Sequence, residues 1–163
     1  MIVVADSGPL HYLILLDHAD LLHHFYGDVL VPEAVAVELS SPSAPLVVRD
    51  WISRAPSWLS VVHVESDQVQ AVTDDLDLGE RAAIALAGVR HADLLLIDEA
   101  AGRAEAKRRN LRVTGTLGRC RTRIGRRAGA DGSAQGDNLL CRRRPLDECL
   151  RAMAHVMTRG SLV

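Results

Sequence analysis

The sequence predicts an α/β fold in which helices are layered around a mainly parallel central sheet. Residues 2–5 and 94–97 are apolar at every position, which is typical of strands buried on both faces of a parallel sheet. Predicted strands and helices alternate along residues 1–118. Hydrophobic residues make up 48% of the 163 residues and aromatic residues only 3%, so the core is expected to be aliphatic. The length favours one domain.

The elements of the first half follow from apolar runs and from residues that start helices. Pro32 and Glu33 suit a first helical turn, because proline lacks an amide donor and the carboxylate complements the helix dipole. Serine and proline make 40–45 a predicted loop. The predicted elements are strands at 2–5, 28–31 and 59–64 and helices at 9–16, 17–26, 32–39 and 47–54.

The second half continues this alternation. Val69, Val72 and Leu76 are spaced to share one face of a helix. The alanine-rich stretch 79–90 predicts a strong helix, because alanine has the highest helix propensity. The predicted elements are helices at 67–76, 79–90 and 99–110 and strands at 94–97 and 111–113.

Composition and charge change abruptly after Gly118. Residues 1–118 carry 17 acidic and 9 basic residues (net −8), whereas 119–163 carry 4 and 10 (net +6), which gives the overall −2. We predict a folded domain over 1–118 and an atypical basic C-terminal segment over 119–163. The acidic first part excludes a broad basic surface for nucleic acid but allows a local metal site. The basic segment is a solvated, partly disordered tail, a nucleic-acid-binding arm, or the product of a frameshift in GC-rich coding DNA.

Other signals favour a reduced cytoplasmic protein without membrane association. The N-terminal apolar run has no basic start and is interrupted by Asp6, unlike a signal peptide. No apolar stretch has the length of a membrane span. The cysteine count of 3 is odd, which favours free thiols in a reducing compartment. Glycine-rich nucleotide-binding motifs are absent.

Two aspartates directly follow the two fully apolar runs. Asp6 ends the first predicted strand and Asp98 ends the later one. In parallel sheets, ligands and chemistry collect at the carboxyl ends of strands. If the two strands are neighbours, their backbones lie about 5 Å apart, and the two carboxylates could hold a divalent cation together. The alternative is that each aspartate caps the helix that follows it.

Glu38 and Glu80 lie along apolar faces of predicted helices and are expected to point inward. A carboxylate on an inward face needs a partner, and one cation serves several carboxylates. The sequence therefore predicts a Mg²⁺ or Mn²⁺ site formed by Asp6, Glu38, Glu80 and Asp98. Alternatively, Glu38 is an edge-of-core residue and Glu80 complements a helix dipole.

The remaining acids are interpreted as structural. Asp74, Asp75 and Asp77 are expected to form a solvated turn, and Glu99 to lie in the first turn of a helix. The histidines are assigned to the surface or to interfaces, because their positions do not have metal-ligand spacing.

Five segments, in order along the chain, resemble the PIN-domain nucleases. They are 3–10, 31–39, 78–87, 93–99 and 113–118. The first four resemble the segments that carry the metal carboxylates of that family, which correspond here to Asp6, Glu38, Glu80 and Asp98. The fifth resembles the last strand and turn of a prokaryotic subfamily. After Gly118, where family members continue into an apolar helix, this chain departs from the pattern.

The resemblance implies a PIN-like three-layer α/β sandwich and a Mg²⁺- or Mn²⁺-dependent endoribonuclease that hydrolyses RNA phosphodiester bonds. Ser7 and Thr116 would position a water or a phosphate oxygen. Ser7 could instead cap a helix, and Thr116 could instead belong to a structural turn. Two other functions stay open: a PIN-like scaffold that no longer cuts, and a metal phosphoesterase acting on DNA flaps or small phosphate esters.

The subfamily is similar to the toxin ribonucleases of toxin–antitoxin pairs, which implies an RNA substrate and an antitoxin protein as partner. Such a partner would lay a helix in a groove, and a homodimer is a further expectation. The candidate interface is apolar and comes from the first two helices; the alternative is that these side chains belong to the core. They are Leu10, Leu13, Leu16, Leu21, Leu22 and Phe25.

Overall fold

Five parallel strands form the centre of the computed structural model, which describes residues 1–116. They are β1 (Val3–Ala5), β2 (Val29–Pro32), β3 (Leu59–Val62), β4 (Leu94–Leu96) and β5 (Val113–Thr114). Their order is β3–β2–β1–β4–β5, and each neighbouring pair is parallel. The predicted α/β class with a parallel sheet is therefore confirmed. The basic segment 119–163 lies outside the described residues, so the predicted division at Gly118 stays a prediction.

Seven helices accompany these strands within residues 1–116. They are α1 (Ser7–Leu15), α2 (Asp20–Tyr26), α3 (Glu33–Ser40), α4 (Leu46–Ser53), α5 (Ser66–Gln70), α6 (Leu78–Val89) and α7 (Ala100–Arg108). Helix α6 is the most buried, with 8 of its 12 residues in the interior. It packs against β1, β2 and β4, and its small alanine side chains let it approach the sheet closely.

The two strands that precede the conspicuous aspartates are neighbours, as predicted. In the pairing of β1 with β4, Val3 lies opposite Leu94 and Ala5 lies opposite Leu96. Every residue of both strands is buried, because helices cover both faces of the sheet. The Asp6 amide donates a hydrogen bond of 3.0 Å to the carbonyl of Leu96, so the pairing continues to the end of the strands.

Helix α5 is shorter than predicted. It ends at Gln70 rather than near Leu76, although Val72 and Leu76 are buried. The apolar spacing therefore identified core residues correctly but not a continuous helix. The segment after α5 is rich in aspartate, and the Thr73 hydroxyl bonds to Asp75, a local contact that competes with helical hydrogen bonding.

Most other boundaries shift by one or two residues from the prediction, and two of the shifts have a local cause. Helix α2 begins at Asp20 rather than at Asp17, because Asp17 has a φ of 58° and separates α1 from α2. Strand β5 is Val113–Thr114 rather than 111–113. The Leu111 amide bonds to the carbonyl of Ala106 in the turn that ends α7, so Leu111 is not part of the strand.

Three of the six residues predicted as an interface belong to the core instead. Leu10, Leu13 and Leu22 are at most 3% exposed, because α1 and α2 turn these side chains inward. None of the helices within residues 1–116 combines the length and apolar character needed to cross a membrane.

Candidate active site

Asp6 and Asp98 lie on either side of Gly8, at the carboxyl ends of β1 and β4. A Cβ atom built on Gly8 would lie 4.0 Å from Oδ2 of Asp6 and 3.9 Å from Oδ2 of Asp98. The two carboxylate oxygens are therefore separated by no more than the sum of these distances. The missing side chain of Gly8 leaves room between two acids that the sheet pairing brings together.

Asp6 is a buried carboxylate with one unused oxygen. It is 3% exposed, and its Oδ1 has no hydrogen-bond partner. Although Asp6 precedes α1 directly, its side chain makes no capping hydrogen bond, so the capping alternative is wrong. The pKa of Asp6 is raised from 3.8 to about 7, mainly by burial and also by the charges of Asp77, Glu80 and Glu38, while the hydrogen bond from the Ser7 amide lowers it.

Glu80 is the second buried acid and points inward as predicted. It lies in the first turn of α6, is 3% exposed, and its Oε1 has no hydrogen-bond partner. The pKa of Glu80 is raised from 4.5 to about 7, mainly by burial and also by the neighbouring charges of Asp77 and Glu99. A group held in this way is neutral in part near pH 7 unless a cation compensates its charge.

Glu38 is exposed, so the prediction that it points inward is wrong. The buried stripe of α3 consists of Val35 and Leu39, and Glu38 lies at its edge, as the alternative interpretation held. Its Oε1 accepts a hydrogen bond of 3.1 Å from the Ser7 hydroxyl. Partial burial raises the pKa of Glu38, the Ser7 hydroxyl lowers it, and the charge of Asp77 raises it.

Gly79 lies close to carboxylate oxygens of both Glu38 and Asp6, as Gly8 lies close to carboxylate oxygens of both Asp6 and Asp98. A Cβ on Gly79 would lie 2.7 Å from Oε2 of Glu38 and 3.6 Å from Oδ1 of Asp6. The oxygen of Asp6 that lacks a partner therefore faces the Glu38 carboxylate across the start of α6. Ser7 holds Glu38 there with its hydroxyl and does not occupy the capping position of α1.

Asp98 is fixed by Thr116, which follows β5. The Thr116 amide donates a 2.8 Å hydrogen bond to Oδ1 of Asp98, and the Thr116 hydroxyl donates to Oδ2. Arg103 on α7 donates to the backbone carbonyl of Asp98. The residue that precedes α7 directly is Glu99, so Asp98 is not the cap of that helix.

Two acids that sequence reasoning set aside belong to this edge of the sheet. Asp77 is exposed and lies between a turn and α6, as expected, but it also caps α6 by accepting a 2.8 Å hydrogen bond from the Glu80 amide. Its negative charge also raises the pKa values of Asp6, Glu38 and Glu80. The spacing Asp77-x-x-Glu80 at the start of a helix is a capping-box pattern and was the available signal.

Glu99 is an exposed acid that follows Asp98 directly. It holds the position immediately before α7, and its charge raises the pKa values of Glu80 and Glu38. Its proximity to these acids depends on α7 packing against α6, which the sequence alone does not indicate.

The chemistry of these acids fits a hard divalent cation. Carboxylate oxygens are the ligands that Mg²⁺ and Mn²⁺ prefer, and the buried oxygens of Asp6 and Glu80 lack other partners. In the arrangement that residues 1–116 adopt here, however, no three acid, histidine or cysteine side chains are gathered closely enough to hold an ion. The four predicted ligands therefore share one edge of the sheet, and their joint role as a metal site stays a prediction.

The fold and this acidic edge define the chain as a parallel α/β protein with a carboxylate-lined site. Its sequence matches the family model DUF3368, a PIN domain, over residues 2–119. The chain thus belongs to a PIN-domain family, and PIN domains are generally nucleases that usually use divalent metals. No curated protein matches the chain in sequence.

Proposed function

We propose that this chain is a metal-dependent endoribonuclease in which Asp6, Glu38, Glu80 and Asp98 hold Mg²⁺ or Mn²⁺. The observation that carries this proposal is the pair Asp6 and Glu80. Each is 3% exposed, and each has one oxygen without a hydrogen-bond partner. Burial raises the pKa of both acids, and the charge of Glu80 adds to the increase at Asp6. Two buried acids with unused oxygens are costly unless a cation neutralises them.

The side chains around the four acids have distinct roles in this proposal. A bound divalent cation supplies a Lewis acid for phosphodiester hydrolysis. Thr116 orients Asp98 through both carboxylate oxygens, and Ser7 orients Glu38 through Oε1. Gly79 allows the Glu38 carboxylate to approach Asp6, because a Cβ at Gly79 would lie only 2.7 Å from Oε2 of Glu38.

The finer assignment follows from the family resemblance. The likeness to prokaryotic toxin ribonucleases supports an RNA substrate, an antitoxin protein as partner and a place in the cytoplasm. A homodimer belongs to the same proposal. In an antitoxin complex, the exposed side chains of α1 and α2 would supply the contacts, since Leu10, Leu13 and Leu22 are buried.

Cleavage of a labelled oligoribonucleotide by the full-length chain tests the proposal. We expect cleavage with Mn²⁺ that stops with a chelator, and Asp6→Asn is expected to abolish it. Asp28→Asn is the matched control, because Asp28 is exposed and lies at the opposite end of the sheet, just before β2. Undiminished cleavage by Asp6→Asn would overturn the proposal.

One observation favours a second function, a PIN-like scaffold that does not cut. Within residues 1–116, no three potential ligands are gathered closely enough to hold an ion. A scaffold would not bind Mn²⁺, and its interaction with a partner would not depend on Asp6. Metal-dependent cleavage by the wild-type chain excludes this alternative.

A further inference from the structure

We propose that Arg103 receives a phosphate group of the substrate beside the acidic edge, an inference that rests on the proposed nuclease function. Arg103 lies in the first half of α7, which begins two residues after Asp98. Its guanidinium donates a hydrogen bond to the backbone carbonyl of Asp98. The preceding residue, Gly102, packs directly against Glu80: a Cβ there would lie 2.6 Å from Oε1 of Glu80. The Arg103 side chain therefore contacts one proposed metal ligand, Asp98, and Arg103 directly follows the residue that packs against another, Glu80.

The guanidinium of Arg103 has donors to spare. An arginine side chain carries five N–H donors in a planar fork. Within residues 1–116, its contact with Asp98 is its one side-chain hydrogen bond, and it forms no ion pair with a carboxylate. The Arg103 side chain is also partly buried. Because this limits its conformations, it loses less conformational entropy when it binds a phosphate.

Four other arginines within residues 1–116 are paired with carboxylates. Arg54 pairs with Asp50, Arg81 with Asp74, and both Arg108 and Arg109 with Glu105. Within the same residues, the Arg103 side chain bonds only to a main-chain oxygen, that of Asp98. Such an arginine is suited to bind a tetrahedral anion through two parallel hydrogen bonds.

A local cation is needed here because the first 118 residues carry a net charge of −8. The acids at the edge of the sheet repel a polyanion at the place where cleavage must occur. Among the described residues, four other arginine or lysine side chains form no ion pair. They are Arg49 on α4, Arg90 after the last residue of α6, Lys107 in the last turn of α7 and Arg112 before β5. Arg103 differs from these four because it hydrogen-bonds to a proposed metal ligand. Arg103 is thus placed to offset this repulsion locally.

Binding of a fluorescent oligoribonucleotide to the full-length chain tests this inference, measured by anisotropy in chelator at several salt concentrations. We expect Arg103→Gln to weaken binding about tenfold and to reduce the slope of log affinity against log salt by roughly 0.7, the value for one single-strand phosphate contact. Arg103→Lys retains the charge and is expected to keep the salt slope while losing part of the affinity. Arg90→Gln removes the same charge at the far end of α6 and is expected to change affinity less than twofold.

The outcomes separate this inference from the proposed function. If Arg103→Gln and Arg90→Gln bind equally well, or if the wild type binds no oligoribonucleotide, Arg103 does not receive a phosphate. If the wild type cleaves RNA, and Arg103→Gln and Arg90→Gln cleave and bind it as well as the wild type does, the nuclease function stands and the inference fails. If binding depends on Arg103 but no metal-dependent cleavage occurs, the inference stands and the proposed function fails. A loss of affinity with an unchanged salt slope indicates a purely structural role and overturns the inference.

Discussion

Thr116 holds both carboxylate oxygens of Asp98, one through its amide at 2.8 Å and the other through its hydroxyl. The two residues follow the neighbouring strands β4 and β5, so these two hydrogen bonds depend on the parallel pairing of the strands. Because both oxygens are bonded, the carboxylate has one orientation although Asp98 is only partly buried. A fixed carboxylate loses little conformational entropy when it binds an ion.

We expect Thr116→Val to reduce Mn²⁺-dependent cleavage by about tenfold or more, since loss of a group that orients a metal ligand typically costs that much. Valine has the shape of threonine but lacks the hydroxyl that bonds Oδ2. Thr116→Ser keeps the hydroxyl and is the matched control, with near wild-type cleavage. Equal activity of the valine and serine variants would show that the hydroxyl has no role.

The metal-free protein is expected to lose stability as the pH rises. The pKa values of Asp6 and Glu80 are raised to about 7 in the folded state, from 3.8 and 4.5, so folding favours their protonated forms. The stability that these two protonated acids contribute to the folded state is complete below about pH 4 and is lost as the pH rises through 7. Urea denaturation in chelator should give a free energy of unfolding that is lower at pH 8 than at pH 5, by roughly 1–4 kcal/mol.

Asp6→Asn tests the source of this pH dependence. The amide cannot ionise, so the variant is expected to show a flatter profile and to be more stable than the wild type at pH 8. Asp28→Asn, which changes an exposed acid away from the site, should keep the wild-type profile. If the stability of Asp6→Asn falls with pH as steeply as that of the wild type, Asp6 is not a source of the pH dependence.

Substitutions at Asp77 separate its capping role from its charge. Asp77→Asn keeps a side-chain oxygen for the Glu80 amide, whereas Asp77→Ala removes it and is expected to cost about 1 kcal/mol of stability. Both variants remove the charge that raises the pKa values of Asp6 and Glu80, so both should flatten the pH profile of stability. At pH 5 the repulsion between Asp77 and the neighbouring acids has its smallest effect on stability. If Asp77→Asn and Asp77→Ala are equally stable there, the Asp77 side chain does not stabilise α6 as a cap.

Gly102 on α7 is buried and Gly88 on α6 is exposed, so the two helical glycines form a matched pair. A Cβ on Gly102 would collide with Ile97 and would lie 2.6 Å from Oε1 of Glu80, whereas a Cβ on Gly88 meets nothing within 4 Å. We expect Gly102→Ala to destabilise the fold by about 1–3 kcal/mol and to impair cleavage, because Glu80 must move. Gly88→Ala should stabilise the fold by up to about 1 kcal/mol. Thermal unfolding measures both, and a neutral Gly102→Ala would mean that Glu80 moves aside freely.

The sheet and its acidic edge could be predicted because they depend on local pattern. Consecutive apolar residues before Asp6 and Asp98 indicate strands buried on both faces, and such strands pair in parallel with their carboxyl ends at one edge. The inward position of Glu80 also followed from helical spacing. These inferences need only the chain's own periodicity.

The positions of Glu38, Asp77 and Arg103 could not be predicted in the same way. Glu38 lies at the margin of an apolar stripe, where its exposure depends on how α1 and α6 pack against α3. The cap at Asp77 is consistent with its spacing from Glu80, but the effect of its charge on Asp6 and Glu38 depends on how α6 packs beside α3 and β1. The contact of Arg103 with Asp98 depends on the packing of α7 at the edge of the sheet.

Calorimetric titration of the full-length chain with Mn²⁺ is the most direct test of the central claim, that the acids at this edge hold a divalent cation. We expect binding by the wild type and by Asp28→Asn, and loss of binding in Asp6→Asn and Glu80→Gln, since each removes a buried carboxylate with one oxygen that lacks another partner. If the wild type binds no Mn²⁺, or if Asp6→Asn binds it as tightly as the wild type, the claim is contradicted.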